Sequence, residues 1–295
     1  MDLAVLTSPK VVSSCFFVAA FLIACSRGRQ FWLLADFLAT TAFGLGWFFL
    51  PQVLLGFQIN KVPDGTHLTY TRAFGACMIG DAVSRYFIRS SRDNSTQVFL
   101  LLSRIIGCSV LLVAMVIIQY TGGEWNEMHI FFGMMGNLVW MMGSAVYYFQ
   151  SRFSGGHAQL ESQLNFHLRA DGFVMLLLGC AAYGFPDMSI RIFNDIPAVD
   201  SAHIHMIRSA GALEIGSALL SFFAPGFLFE EDKRALLVGR VVAIGMTVLA
   251  AVYASANYEG WGQNLLPFFI GEGLIVLNAL LGYFAPHETD RYKSK

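Results

Sequence analysis

The sequence predicts an all-α integral membrane protein of about nine transmembrane helices: one N-terminal helix plus two parallel four-helix repeats. Three observations predict it. First, of 295 residues 56% are hydrophobic and 13% are charged, about half the charged share of a soluble domain. So few charges cannot cover a soluble surface of this size, and the composition also excludes a disordered chain and a disulfide scaffold. Second, apolar runs long enough to cross the hydrocarbon layer recur along the whole chain. Third, the sequence after the first run repeats itself at an offset of 135 to 136 residues.

The runs fall at 11–26, 31–57, 68–88, 97–119, 127–149, 166–186, 203–224, 235–256 and 263–285. They are continuously apolar and lack the alternation of barrel strands, so each reads as a helix. The first is the weakest. The connections are short and polar, the longest being 61–66, 151–163 and 187–202. The expected organisation is an N-terminal helix over 1–29, a first repeat over 30–150, a linker over 151–162 and a second repeat with its tail over 163–295.

Basic residues orient the runs, because cytosolic loops hold excess Lys and Arg. Alternate loops place Arg27, Arg29, Arg89, Arg92, Arg152, Lys233, Arg234, Arg291, Lys293 and Lys295 on one side. The other side receives Lys10, Lys61 and Arg191. The first side, with the C-terminus, is expected in the cytosol, and the N-terminus outside or in a lumen. The basic pair Arg27 and Arg29 follows the first run, so that run reads as a retained helix and not a cleaved signal. Asn94-Ser95-Thr96 has the glycosylation pattern but falls on the cytosolic side, where it would stay unmodified. Spans near the minimum length suit the thinner membrane of the endoplasmic reticulum, with the plasma membrane as the other location.

The repeat is read from paired residues. Asp36, Gly44 and Pro51 match Asp171, Gly179 and Pro186. Arg72, Ala76 and Gly80 match Arg208, Ala212 and Gly216; Arg104 and Trp125 match Arg240 and Trp261. Four helices per unit return the chain to its starting side. The units are therefore parallel, about a pseudo-two-fold axis along the membrane normal. Ala76/Gly80 and Ala212/Gly216 are small-xxx-small pairs that let helices approach closely, here within each bundle. Pro51 and Pro186 end or kink their helices.

Ionisable residues inside the runs are costly and face protein or water. Asp36 lies about 8 Å from the cytosolic end of its helix, and Arg104 and Asp81 about 10 Å. Asp171 and Arg240 sit at similar depth in the second unit. Asp36–Arg104 and Asp171–Arg240 are the expected intramembrane ion pairs. Asp81 and Glu214 each put an acid on the corresponding face of the second helix of a unit, toward a partner such as the Arg. Glu272 stands near mid-membrane between Gly271 and Gly273. Together these form an intramembrane charge network, either a structural clamp or the lining of a polar path. Arg72 and Arg208, near the outer boundary, are expected to snorkel to lipid head groups.

Other chemistry is sparse. Net charge is −1, so nothing points to nucleic acid. Cys15, Cys25, Cys77, Cys108 and Cys180 read as small core hydrophobes. The histidines form no spaced metal box: His203 and His205 read as solvated boundary residues, and His129 has no matching partner. No metal or cofactor and no catalytic set is expected. Gly44 and Pro51, or Gly179 and Pro186, in a first helix, followed by Arg72 or Arg208 opening an Arg-x-x-Gly-x-x-x-x-Gly second helix, resemble the small DoxX-like four-helix membrane proteins. Here the resemblance covers about 30–285 as a tandem duplication with an extra N-terminal helix, and it implies the four-helix unit without a catalytic residue. The functional expectation is a non-enzymatic scaffold or lipid-handling accessory subunit, with membrane lipids and other membrane subunits as partners. The alternative is a small-solute or proton-coupled transporter that uses the intramembrane carboxylates.

Overall fold

The computed structural model describes residues 9–151, 156–157, 161–193, 198–258, 261 and 265–286, with side chains from residue 18 onward. The helices are α1 Pro9–Ser26, α2 Arg29–Phe49, α3 Pro51–Gly56, α4 Gly65–Ile88 and α5 Asn94–Thr121. A π-helical turn, His129–Met134, continues into α6 Met135–Gln150. Then follow α7 Gln163–Gly184, α8 Pro186–Arg191, α9 Ser201–Phe223, α10 Glu230–Asn257 and α11 Leu265–Tyr283. Among the described residues there is no strand, and one isolated bridge joins Ile59 to Trp125. Arg152, Gly155, Glu259, His287, Arg291, Lys293 and Lys295 lie outside the described residues, as do the side chains of Lys10 and Cys15.

Six helical segments are long and apolar enough to cross a membrane: Arg29–Phe49, Asn94–Thr121, His129–Gln150, Ser201–Gly226, Glu230–Asn257 and Leu265–Tyr283. The other long helices are α1, α4 and α7. Helix α4 carries Arg72, Asp81 and Arg85, and α7 carries Arg169 and Asp171, which lower their mean hydropathy. Arg85 and Asp171 are nonetheless buried, so these charges meet protein and not the helix exterior. Each apolar run of the sequence falls on a long helix, but the run 31–57 is broken. Pro51 opens α3, and Pro186 likewise opens α8, each in the first turn of its short helix. Proline lacks the N–H that a continuing helix needs but suits a first turn.

Four helices start on side-chain caps: Asp64 for α4, Asp93 for α5, Ser162 for α7 and Asp200 for α9. Each cap satisfies a backbone N–H that the first turn leaves unpaired.

Helix α2 packs on α4, and α7 packs on α9. Across the halves, α4 packs on α10 and α9 packs on α5, with α4 and α9 also in contact. The halves are thus interleaved and not two side-by-side bundles. The small-xxx-small residues make these crossings, which corrects the expectation that they pack within one bundle. A side chain at Gly80 would collide with Gly239 and Ala243 of α10. A Cβ at Gly216 would lie 3.0 Å from the Ser103 carbonyl and 3.1 Å from Gly107 of α5. Ala76 and Ala212 are fully buried one turn away. Close backbone approach supplies the dispersion contacts that hold helices together where lipid is as apolar as the side chains.

Helix α1 lies against α6, where the Tyr147 hydroxyl donates to the Cys25 carbonyl at 2.6 Å. Cys108 is buried, but Cys180 is exposed, so the cysteines are not uniformly core residues. Large apolar side chains such as Leu38, Leu177, Leu249, Leu266 and Leu274 project outward from the assembly.

Candidate functional site

Two buried charge groups stand inside the bundle. In the first, Asp36 Oδ1 lies 2.9 Å from Arg104 Nη2, and Asp36 Oδ2 lies 2.7 Å from Arg85 Nη1. Asp81 Oδ2 is 3.0 Å from Arg104 and 2.8 Å from Arg85. Trp140 Nε1 donates to Asp36, and Arg104 donates to Thr40 Oγ1 at 2.7 Å. Two guanidinium groups thus face two carboxylates, and the group is neutral. Arg85 is absent from the sequence reading of this network. The signal for it was present: Asp81 and Arg85 stand four apart, one helical turn.

In the second group, Arg240 meets Asp171 through two bonds, Nε to Oδ1 at 2.8 Å and Nη2 to Oδ2 at 3.1 Å. Ser221 donates to Asp171 at 2.6 Å, and Arg240 donates to Ser217 at 2.8 Å. Ser217 and Ser221 stand 136 residues beyond Asp81 and Arg85. The structure therefore brings both Asp–Arg pairs together. Glu214 stands near enough to Arg240 for their charges to interact but makes no hydrogen bond to it; Ser217 takes that bond, and Asp171 balances the Arg240 charge. Glu214 and Glu272 instead line a narrow cavity of about 100 Å³, together with Asp81, Arg104, Arg240 and Cys77.

A second cavity, of about 590 Å³, lies inside the first half among α2, α4, α5, the π-helical turn and α6, with α9 along one side. Phe43, Trp47, Phe74, Met115, Phe132 and Trp140 make most of its wall apolar. The π-helical turn contributes Phe132 and Gly133. A π turn interrupts the regular helical register, a feature frequent at functional sites. Arg104, Cys108 and Leu213 border both cavities.

At the end of the bundle that carries Lys61, α4 and α9 are tied by crossed caps. Asp64 accepts from the backbone N–H of His67 at 2.9 Å, and His67 Nδ1 accepts from the Asp64 N–H at 3.2 Å. Asp200 and His203 do the same at 3.0 Å and 3.4 Å. Each ring has a carboxylate at both nitrogens: His67 Nδ1 lies 2.8 Å from Asp64 and Nε2 3.0 Å from Asp200, and His203 Nδ1 lies 3.1 Å from Asp200 and Nε2 3.4 Å from Asp64. The two rings stack with centroids 3.6 Å apart and 17° between planes. Lys61 bonds Asp200 and, at 3.1 Å, Glu124. Burial opposes ionisation of Asp64 and Asp200. The hydrogen bonds from His203 and His67 outweigh it and hold both carboxyls well below the usual carboxylate range.

Asp64, His67 and His203 are close enough together to suggest a metal ligand set. Stacked, nearly parallel rings cannot both hold one ion in their planes. The cluster works as a helix clamp. Its signal was legible as Asp-x-x-His at 64–67 and again at 200–203, the same 136-residue offset.

His203 and His205 are buried, which corrects their reading as solvated residues. His129 also has company: its ring lies 5.0 Å from that of His205 and 4.3 Å from that of Trp125. Arg72 and Arg208 do not simply reach for head groups. Arg72 lies 4.6 Å over the Tyr253 ring and donates to the Tyr258 hydroxyl, and Arg208 donates to the Tyr183 carbonyl at 3.2 Å.

Residues 34–284 match a domain family of unknown function, DUF8292. The chain belongs to that family. The DUF8292 match takes in both charge groups, both cavities and the helix clamp, and leaves α1 outside. No curated protein and no solved structure matches the chain.

Proposed function

We propose that this chain is a non-enzymatic, multi-pass lipid-handling protein that holds a lipid within the bilayer, as an accessory subunit of a larger membrane complex. The observation that carries this reading is the 590 Å³ apolar cavity in the first half. Its size falls in the range of sites that enclose a small ligand, and its wall offers mainly apolar contact. The paired Asp–Arg groups act as clamps that fix helix register around it. The outward apolar side chains of α2, α7, α10 and α11 provide the surface for lipids and neighbouring subunits.

The topology belongs to the same proposal. Nine crossings, an outer or luminal N-terminus and a cytosolic C-terminus are supported by the basic-residue bias. A location in the endoplasmic reticulum or plasma membrane goes with it. A duplicated four-helix unit, similar to the DoxX-like proteins, is supported by the 136-residue register. The matching Gly80–Ala243 and Gly216–Gly107 approaches support it too. The family match starts after α1, which suits an added first helix.

Native mass spectrometry of the protein purified in its own lipids tests the function. The wild type is expected to retain lipid, with other chains co-purifying. A Cβ on Gly136 meets nothing within 4 Å, so Gly136→Leu is expected to fill the cavity and expel the lipid. Equal lipid occupancy in wild type and variant would defeat the reading.

One observation favours transport instead: Glu214 and Glu272 share the narrow central cavity, and the Asp171–Arg240 charges balance without them. A solute or proton flux in liposomes that Glu272→Gln abolishes, from a protein that purifies alone, would select this second reading.

A further inference from the structure

The large cavity ends against Trp125 and His205, with His129 packed on both, and each of the three rings has a polar atom left over. Trp125, His129 and His205 pack on one another, with ring centroids 4.3, 4.6 and 5.0 Å apart. All three residues are buried, His129 completely. Trp125 Nε1, His129 Nε2 and His205 Nδ1 have no hydrogen-bond partner among the described residues. A buried polar atom without a partner loses its bond to water and gains nothing in return. Three such atoms in one cluster indicate a missing polar group.

The neighbours of each ring state what that group must be. Gln119 Oε1, an acceptor, lies 2.8 Å from His129 Nδ1. The proton is therefore on Nδ1, and His129 Nε2 is an acceptor. The Ser209 hydroxyl spends its proton on the His205 carbonyl at 2.8 Å, so at 3.4 Å it accepts from His205 Nε2. His205 Nδ1 is then also an acceptor. Neither ring has a carboxylate partner among the described residues, and an unpaired buried imidazolium would be costly. Trp125 Nε1 can only donate. The cluster thus offers one donor and two acceptors. A ketone or ether satisfies only the donor; a hydroxyl satisfies the donor and one acceptor together.

The position is open to the cavity. Trp125, His205, Gln58 and Gly133 line it. The point where a Gly133 side chain would begin lies 3.4 Å from His129 Nε2 and 3.5 Å from Gln58 Oε1. A Cβ there would also meet His129 Cδ2 at 3.0 Å, so the glycine is what lets the cavity wall approach these two acceptors.

We propose that the cavity binds a neutral membrane alcohol, its hydroxyl accepting from Trp125 Nε1 and donating to one of the two histidine acceptors, His205 Nδ1 or His129 Nε2, with its apolar body along Phe43, Phe74 and Phe132. This rests on the lipid-handling reading and adds the chemistry of the lipid. Sterols and long-chain or isoprenoid alcohols share that chemistry.

The test uses the full-length protein in nanodiscs. Two photoreactive probes are offered, a sterol and a linear long-chain alcohol, each beside its O-methyl ether. The wild type is expected to label within the cavity-lining segments, with at least one alcohol preferred over its ether by about tenfold, the scale of one buried hydrogen bond. Trp125→Phe is expected to bring alcohol labelling down to the ether level. Gly136→Leu is expected to abolish labelling by alcohol and ether alike. The probe that shows the preference tells sterol from linear alcohol. Equal labelling by alcohol and ether in the wild type overturns the hydroxyl site while leaving the lipid-handling reading standing. A preference that survives Trp125→Phe overturns the placement of the hydroxyl. No cavity labelling by any probe, with Gly136→Leu unchanged, overturns both readings. The wild-type comparison decides the hydroxyl question even if Trp125→Phe fails to fold.

Discussion

Arg85 changes what the buried charges are worth. Asp36 has two guanidinium partners, Arg85 and Arg104, whereas the charged partner of Asp171 is Arg240 alone. Breaking a buried pair costs about 3–5 kcal/mol because the remaining charge is left without compensation. Arg240→Leu strands Asp171 with only the Ser221 hydroxyl. Arg104→Leu leaves Asp36 its bond to Arg85. Arg240→Leu is therefore expected to be the more damaging of the two. Adding Asp171→Asn to Arg240→Leu is expected to restore part of the loss, since no stranded charge remains. Thermal unfolding of the purified variants in detergent measures all three. Equal damage from Arg104→Leu and Arg240→Leu would show that Arg85 does not share the load on Asp36. The sequence placed Asp36, Arg104, Asp171 and Arg240 correctly relative to one another, because pair depth follows from counting residues at a fixed helical rise. Glu214 stands near enough to Arg240 for their charges to interact, as its helical face implied, but the hydrogen bond from Arg240 goes to Ser217.

At the scale of the element, glycine decides where helices cross. Gly239 of α10 faces Ser84 and the Gly80 carbonyl of α4 with no space for a methyl group. Gly245, on the same helix, has nothing within 4 Å of its would-be side chain. Overpacking a tight contact costs about 1–3 kcal/mol. Gly239→Ala is expected to lower the unfolding temperature in detergent, and Gly245→Ala to leave it unchanged. An unchanged Gly239→Ala would mean that α4 and α10 are not in this register. The small-residue motifs were legible as packing surfaces, since few other roles suit Gly or Ala four apart in an apolar run. Their partners were not. A motif announces that some backbone comes close, and only the fold names which one. The same holds for Pro51 and Pro186: the loss of the N–H predicts a break, while the short helices α3 and α8 beyond it depend on the surrounding chain.

For the whole molecule, the open quantity is orientation. Lys61, Glu124 and Asp200 gather at one end of the bundle, while Arg29 bonds Asn94 and Ser151 at the other. That separation agrees with assigning alternate loops to alternate sides. If the basic-rich end is cytosolic, Asn94-Ser95-Thr96 stays unmodified. A glycosylation acceptor engineered between Gly122 and Gly123 would then receive a glycan. Expression in cells with glycosidase digestion reads both sites. A glycan on Asn94, or none on the engineered acceptor, would reverse the orientation.

Composition and periodicity alone were enough for the class, the long apolar segments and the expected depth of the buried ions. These follow from the cost of exposing polar groups to hydrocarbon, which acts on each segment separately. The tertiary structure decided the interleaving of the halves, the role of Arg85, the crossed Asp–His clamp and the apolar cavity. Each depends on residues far apart in the chain meeting in space. His67 and His203 show the difference plainly. Each looks like an ordinary boundary histidine, and becomes half of a clamp only because α4 and α9 start side by side.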